Sequence, residues 1–193
     1  MIGIVDLQRA EADLVAGELS GPVPGCGGML RPWGHGHSRQ IRDHALTMLT
    51  RRPRRARCVA CGATQVLLLG SVLPRRADTT AVIGTALLAS AGGAGYQRIA
   101  ADLGRPPSTV RRWLRSVRGG HTEWLYAQGV AWTHRVDREV FATITPAQTG
   151  LGDALTALAA AAGAIRARLT PHVAARTLIG RLTHGRLVSA RAG

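Results

Sequence analysis

One stretch of spacing restricts the fold of this chain more than any other feature in it. Counting from Tyr96 as the first position, Ile99 and Ala100 are fourth and fifth, and Leu103 and Gly104 eighth and ninth. Val110 is fifteenth and Trp113 eighteenth. Two helices that cross steeply come closest near the middle of the first, where a small side chain is needed, and Ala100 stands there. The tight turn between them needs a residue that tolerates positive φ, and Gly104 supplies it. Ile99, Leu103, Val110, Trp113 and Leu114 then form a wedge against a preceding helix whose inner face is Val82, Ile83, Ala86 and Leu87. Pro107 suits a helix start and Ser108 can cap it, while Gly119 and Gly120 end it. The spacing predicts a helix-turn-helix between about Thr79 and Arg118, with its second helix over 108–117.

The face turned away from the wedge carries Ser108, Thr109, Arg111, Arg112 and Arg115. A recognition helix lays its N-terminal residues against base edges in the major groove. Arginine donates two hydrogen bonds to guanine, and binds phosphates as well. Gln97, at the start of the preceding helix, stands where a phosphate would meet it. Between Gly95 and Arg118 there are six arginines and one aspartate. The whole chain has a net charge of +14 and a pI near 11.7, and a chain this basic seeks polyanions, nucleic acid first. All 25 cations are arginine, however, in a chain rich in Ala and Gly. GC-rich coding produces that pattern, so the placement of charge weighs more than its sum. The expectation is DNA binding through 108–117. Two other readings fit the same residues: a helical hairpin with a solvated basic face, and a helix-turn-helix that contacts protein.

Cys58-Val-Ala-Cys61-Gly62 has the form of one zinc-ribbon knuckle, two thiolates on a tight turn with a glycine to relieve the backbone. Tetrahedral zinc wants a second pair. The segment around Cys26-Gly27-Gly28 would provide it, but the position of its first thiolate is Val23, which binds no metal. The candidate ligands are therefore Cys26, Cys58 and Cys61, with His35 or His37 able to complete a Cys₃His shell. The alternatives are a ribbon that has lost its metal and persists by packing, and a redox C-x-x-C. Three cysteines is an odd number for a disulfide framework. The run RRPRRAR at 51–57 reads as a basic loop, either phosphate-binding or simply solvated.

Elsewhere, residues 1–20 read as a short helix with Ile4, Leu7, Ala10, Leu14 and Leu19 roughly on one side. Residues 29–41 are compatible with a hairpin, 64–69 with a strand and 73–78 with a linker. Beyond 120 the pattern is helical over 121–136 and, Ala-rich, over 151–169. A last helix runs from Pro171 to about Leu182, followed by a basic tail. Trp124, Trp132 and Tyr126 read as packing residues, nucleotide stacking being the other use of the tryptophans. The stretch 155–165 allows close helix packing, within the core or between two copies, and a homodimer would suit two DNA half-sites.

Taken in order, PGCGG, RPWGH, RRARCVACGATQVLLLGSVLPRRAD and GYQRIAADLGRPPSTVRRWLR resemble a family of zinc-ribbon plus helix-turn-helix proteins of high-GC bacteria. That family is classed as a domain of unknown function and is similar to the N-terminal DNA-binding regions of transposases. The resemblance spans about Val5 to Trp132. The family's first knuckle is C-P-x-C, from which this chain departs at Val23. The resemblance implies DNA binding in a transposition-related or regulatory setting, with no known reaction.

Catalysis is not expected. A nuclease of the acidic-triad type gathers three carboxylates on a mixed sheet to hold two metal ions, and the eleven acids here are scattered over helical and linker segments. A tyrosine recombinase needs an Arg/His cluster around a nucleophile, and only Tyr96 and Tyr126 are available. No apolar run reaches the roughly 20 residues of a membrane span, and the first residues lack a signal-peptide layout. The expectation is thus a mainly α, cytoplasmic DNA-binding protein in four parts. These are an N-terminal helical arm (1–20), a small β zinc-ribbon-like segment (21–76), a helix-turn-helix (77–120) and a C-terminal helical region (121–193). No membrane or small-molecule partner is evident. The alternatives are a protein-interaction or assembly module and a non-catalytic transposase remnant.

Overall fold

The computed structural model of the chain describes residues 1–188; the end of the basic tail lies outside them. The described residues are mainly helical, with eight α-helices, and the strands all come before residue 70.

The first element corrects the N-terminal reading. Ile2–Ile4 form a strand, β1, that pairs in parallel with β6 (Thr64–Leu69) in the register Ile2↔Leu67 and Ile4↔Leu69. Helix α1 (Leu7–Ala16) begins only after Asp6, whose carboxylate accepts from the amides of Gln8 and Arg9. It ends at Gly17, held at φ 80°. Ala10 and Leu14 are buried against the sheet, but Leu7 is 49% exposed and does not share that face.

Strand β2 (Leu30–His35) does not fold back on its successor. It pairs with β5 (Arg54–Cys58), while β3 (Arg39–Arg42) pairs with β4 (Met48–Arg51), so the hairpin expected within 29–41 is absent. The main sheet has the order β1-β6-β5-β2. The arginine run is therefore largely a strand rather than a loop. Ala56 and Cys58 alternate inward to a core with Ile4, Leu14, Leu30 and Leu67, as the period of two requires. Arg54 forms a two-pronged pair with Glu11 at 2.8 and 2.9 Å.

The expected linker is also structural. Leu73 and Asp78 are buried. The Asp78 carboxylate accepts from Arg105 Nε at 2.6 Å and from Arg42 on β3 at 2.7 Å. Arg105 further donates to the carbonyls of Leu103 and Asp43, each at 2.9 Å. One carboxylate thus ties the small β3–β4 hairpin to the turn that follows α3 (Tyr96–Leu103).

Helix α2 (Thr80–Ala91) starts at Thr79, whose hydroxyl accepts from the Val82 amide. It joins α3 and α4 (Pro107–Ser116) around one core with α5 (Gly120–Val136) and α7 (Gly150–Arg168). Helices α5 and α7 touch backbone to backbone at Gly129, where a Cβ would lie 2.5 Å from the Ala157 carbonyl carbon. The Ala-rich face offered to a second copy is spent within the chain: Ala154, Ala157, Ala161 and Ala162 are all fully buried. Short α6 (Arg138–Ala142) connects α5 to α7. The last helix, α8 (Ala175–Leu182), begins four residues later than Pro171. It docks on the sheet where Gly180 meets the Gly70 backbone, a contact with no room for a side chain.

Candidate nucleic-acid interface

The helix-turn-helix forms as its spacing requires. Ile99, Ala100, Val110 and Trp113 are each 1% exposed or less. Gly104 has φ 60°, and the amides of Gly104 and Arg105 turn back to the carbonyls of Ala101 and Ala100, closing α3. That conformation strains any residue with a Cβ. Helix α4 starts one residue before the expected bound, at Pro107, whose missing N–H costs nothing at a first position. Ser108 consequently lies inside the helix and caps nothing; the cap position is Pro106, which offers no side-chain bond.

On the outer face Ser108, Arg111, Arg112 and Arg115 are exposed and Thr109 is half-buried. Gln97 is exposed on the first turn of α3, as is Tyr96 beside it. The Arg111 guanidinium sits over the Tyr96 ring, 5.9 Å from its centroid. This contact was not foreseen in the sequence, although an aromatic at the first position and an arginine on the outer face are both visible there. A cation over a ring is held without losing its donors, so Tyr96 steadies Arg111 and leaves its N–H groups unspent on the ring. The local charge is smaller than the sequence count suggests, because Arg105 is buried on Asp78. Arg98 faces Asp102 across one helical turn at 4.0 Å.

At the far edge of the sheet the three cysteines come together. Their sulfurs all lie within 4.8 Å of one another, and Cys26 Sγ is 3.6 Å from Cys58 Sγ. Bonds of about 2.3 Å at tetrahedral angles set zinc-bound thiolates roughly 3.8 Å apart, so the donors fit three corners of such a site. Gly28 makes the approach feasible, since a Cβ there would run into Cys58 Sγ and the Ala60 methyl group. The amides of Cys61 and then Ala60 donate toward Cys58 and bring its thiol down to about 7. At Cys61 the Ala63 amide pulls down, but hydrogen bonding with Cys26 and Cys58 together with burial outweighs it, and the thiol is raised.

His35 and His37 do not complete the set. Leu30 is the residue of β2 opposite Cys58, whereas His35 lies opposite Arg54 at the other end of the strand pair. Among the described residues no histidine or carboxylate joins the sulfurs in a metal-sized group. The Val23 carbonyl accepts from the Cys26 amide, so these two residues span one tight turn, as the ends of a knuckle do.

One aromatic reading changes. Tyr126 is 43% exposed rather than packed. Trp124 and Trp132 are half-buried, each against a helical core, and Trp124 also stacks on buried His121 with 5.4 Å between centroids. Among the described residues no helix is long and apolar enough to cross a membrane.

Residues 81–125 match the model of a homeodomain-like domain, a span that covers α2 through α4 and the start of α5. No curated protein and no solved structure matches the chain.

Proposed function

We propose that this chain is a DNA-binding protein that reads the major groove with α4, as a transposase-like accessory protein or a transcriptional regulator, without catalytic activity of its own. The observation that carries this reading is the coincidence, in one homeodomain-like unit, of a closed helix-turn-helix with an outer face of exposed arginines. Arg111, Arg112 and Arg115 meet bases and phosphates, Ser108 and Thr109 approach base edges at the helix start, and Gln97 takes a flanking phosphate.

Selection of bound duplexes from a random pool tests it. The expected result is an enriched site whose affinity falls steeply with salt, about 0.9 decade per decade of salt for each phosphate contact. Arg111→Ala and Arg112→Ala should each weaken binding to that site by about 1–3 kcal/mol and relax preference at one or two positions. A pool that yields no enriched sequence, with retention insensitive to salt, would favour a protein-interaction module and overturn the proposal.

We further infer that Cys26, Cys58 and Cys61 hold zinc, whose chemistry here is structural: it ties the 23–28 turn to the β5–β6 end of the sheet. The supporting observation is the spacing of the three sulfurs. The purified protein should carry one equivalent of zinc, and Cys58→Ser should abolish it. Val23→Cys supplies a fourth thiolate and should slow zinc loss to a chelator by at least tenfold. Metal analysis well below one equivalent in the native chain would sink the assignment.

A further inference from the structure

A cleft of about 880 Å³ opens where the segment after β6, the outer side of α5 and the turn after α8 meet. Arg75, Arg76, Trp124, Gln128, His184 and Arg186 line it, and among the described residues no acid does. Of these only Trp124 also packs on the helix-turn-helix core, and none belongs to the cysteine cluster.

Two observations mark the cleft as built. Among the described residues three non-glycine positions have left-handed φ, and two of them, Arg75 at 56° and His184 at 50°, line this one cleft. Such conformations are costly and persist where surrounding structure enforces them, often at functional sites. The enforcing contact is on the page: Gly185, itself at φ 71°, packs so close to Pro74 that a Cβ would sit 2.8 Å from its ring. The two turns therefore hold each other, and they present Arg75 and Arg186 outward, both exposed. Arg76 is fixed at the wall by donating to the Val188 carbonyl at 3.1 Å.

The cleft walls are anchored to α4: Leu73, two residues before Arg75, and Leu187, next to Arg186, share one core with Val110, Trp113 and Val117. Burial lowers the Arg76 pKa, and the Arg112 charge lowers it further. Burial likewise lowers His184, with the charges of Arg181 and Arg186 adding to it. Exposed arginines gathered in one cleft attract an external anion.

We propose that this cleft is a second DNA-contact site, which takes the phosphate backbone of the duplex flanking the bases read by α4. The inference rests on the reading of α4 as a recognition helix. The anchor is non-specific: phosphate contacts fix register and orientation and carry no sequence information.

The test uses the full chain and a duplex recovered from the random-pool selection, carrying long flanks on both sides. Arg75→Gln/Arg186→Gln removes two phosphate contacts. It should lower the salt slope by about 1.8 and, on the scale of counterion release between 0.15 and 1 M salt, weaken binding at 0.15 M by roughly 30-fold. The enriched sequence should stay the same. Trimming the flank on one side should weaken the native protein by a similar factor and leave the double variant unaffected. Arg75→Lys/Arg186→Lys, which keeps the charge, should restore the slope. Thermal unfolding of the three proteins checks that the turns still fold.

Wild-type affinity and slope in the folded double variant would overturn the cleft assignment while leaving the role of α4 standing, provided Arg111→Ala still weakens binding. Loss of effect in Arg111→Ala as well would overturn the reading of α4 itself. Binding of inorganic phosphate or a nucleoside triphosphate in the cleft, with flank trimming having no effect, would assign the site to a small anion and overturn the proposal.

Discussion

Asp78→Ala is expected to destabilise the protein by about 3–5 kcal/mol, read as a fall in the urea midpoint with little change in slope. The Asp78 and Arg105 side chains are 3% and 1% exposed, so the alanine variant leaves a guanidinium buried without its carboxylate. The hydrogen bonds from Arg105 to the Leu103 and Asp43 carbonyls do not neutralise it. Replacing both partners, as Asp78→Leu/Arg105→Met, should recover much of the loss, since a buried pair often yields to apolar residues without net cost. If the single variant unfolds at the native midpoint, the pair is not the anchor described above. The pair also has a local consequence. Arg105 is the residue after the Gly104 turn, so its loss should loosen the angle between α3 and α4 and weaken DNA binding beyond the change in stability.

Gly129→Val is the second large effect. Its Cβ would lie 2.5 Å from the Ala157 carbonyl carbon and 2.6 Å from the Leu158 nitrogen, both backbone atoms that cannot swing aside. Helices α5 and α7 must separate, and the buried Thr133 hydroxyl, 3.5 Å from the Ala157 carbonyl, is carried with them. A loss of about 3 kcal/mol is expected, the upper part of the range for overpacking. Gly163→Ala on α7 is the control: a Cβ there meets nothing within 4 Å. It should stabilise by up to about 1 kcal/mol through helix propensity. Equal melting temperatures for the two variants would show that the close approach at Gly129 carries no energetic weight.

These cases divide what could be read in the sequence from what could not. The helix-turn-helix was legible because its constraints are local. Ala100, Gly104, Val110 and Trp113 act over one turn and two short helices, and side-chain period and backbone tolerance report them directly. The sheet was less legible because pairing is not local. Nothing within 29–41 says that Leu30 faces Cys58, and a three-residue strand such as Ile2–Ile4 has no period to detect. The arginine run hid a pattern that was present: Ala56 and Cys58 alternate with Arg55 and Arg57, but charge dominated the reading. Asp78 and Arg105 gave no signal at all, since each is an ordinary surface residue until the other arrives. The three sulfurs were foreseen as a group. His35 stays out of the group because closeness in sequence along β2 is separation in space.

The parallel pairing of β1 has a consequence for how the chain is made. Its register partners are Leu67, Leu68 and Leu69. At synthesis rates of 5–20 residues per second, about 3–13 s pass between the appearance of Ile2 and that of Leu67. During that interval the first strand has no partner, and once β5 and β6 have paired, the open edge of β6 offers unpaired amides and carbonyls to any extended segment nearby. Closure of that edge is a long-range event of the kind that slows folding. The nascent chain is therefore most exposed to mispairing before β1 docks, and a factor that shields its first residues during translation would act at that step.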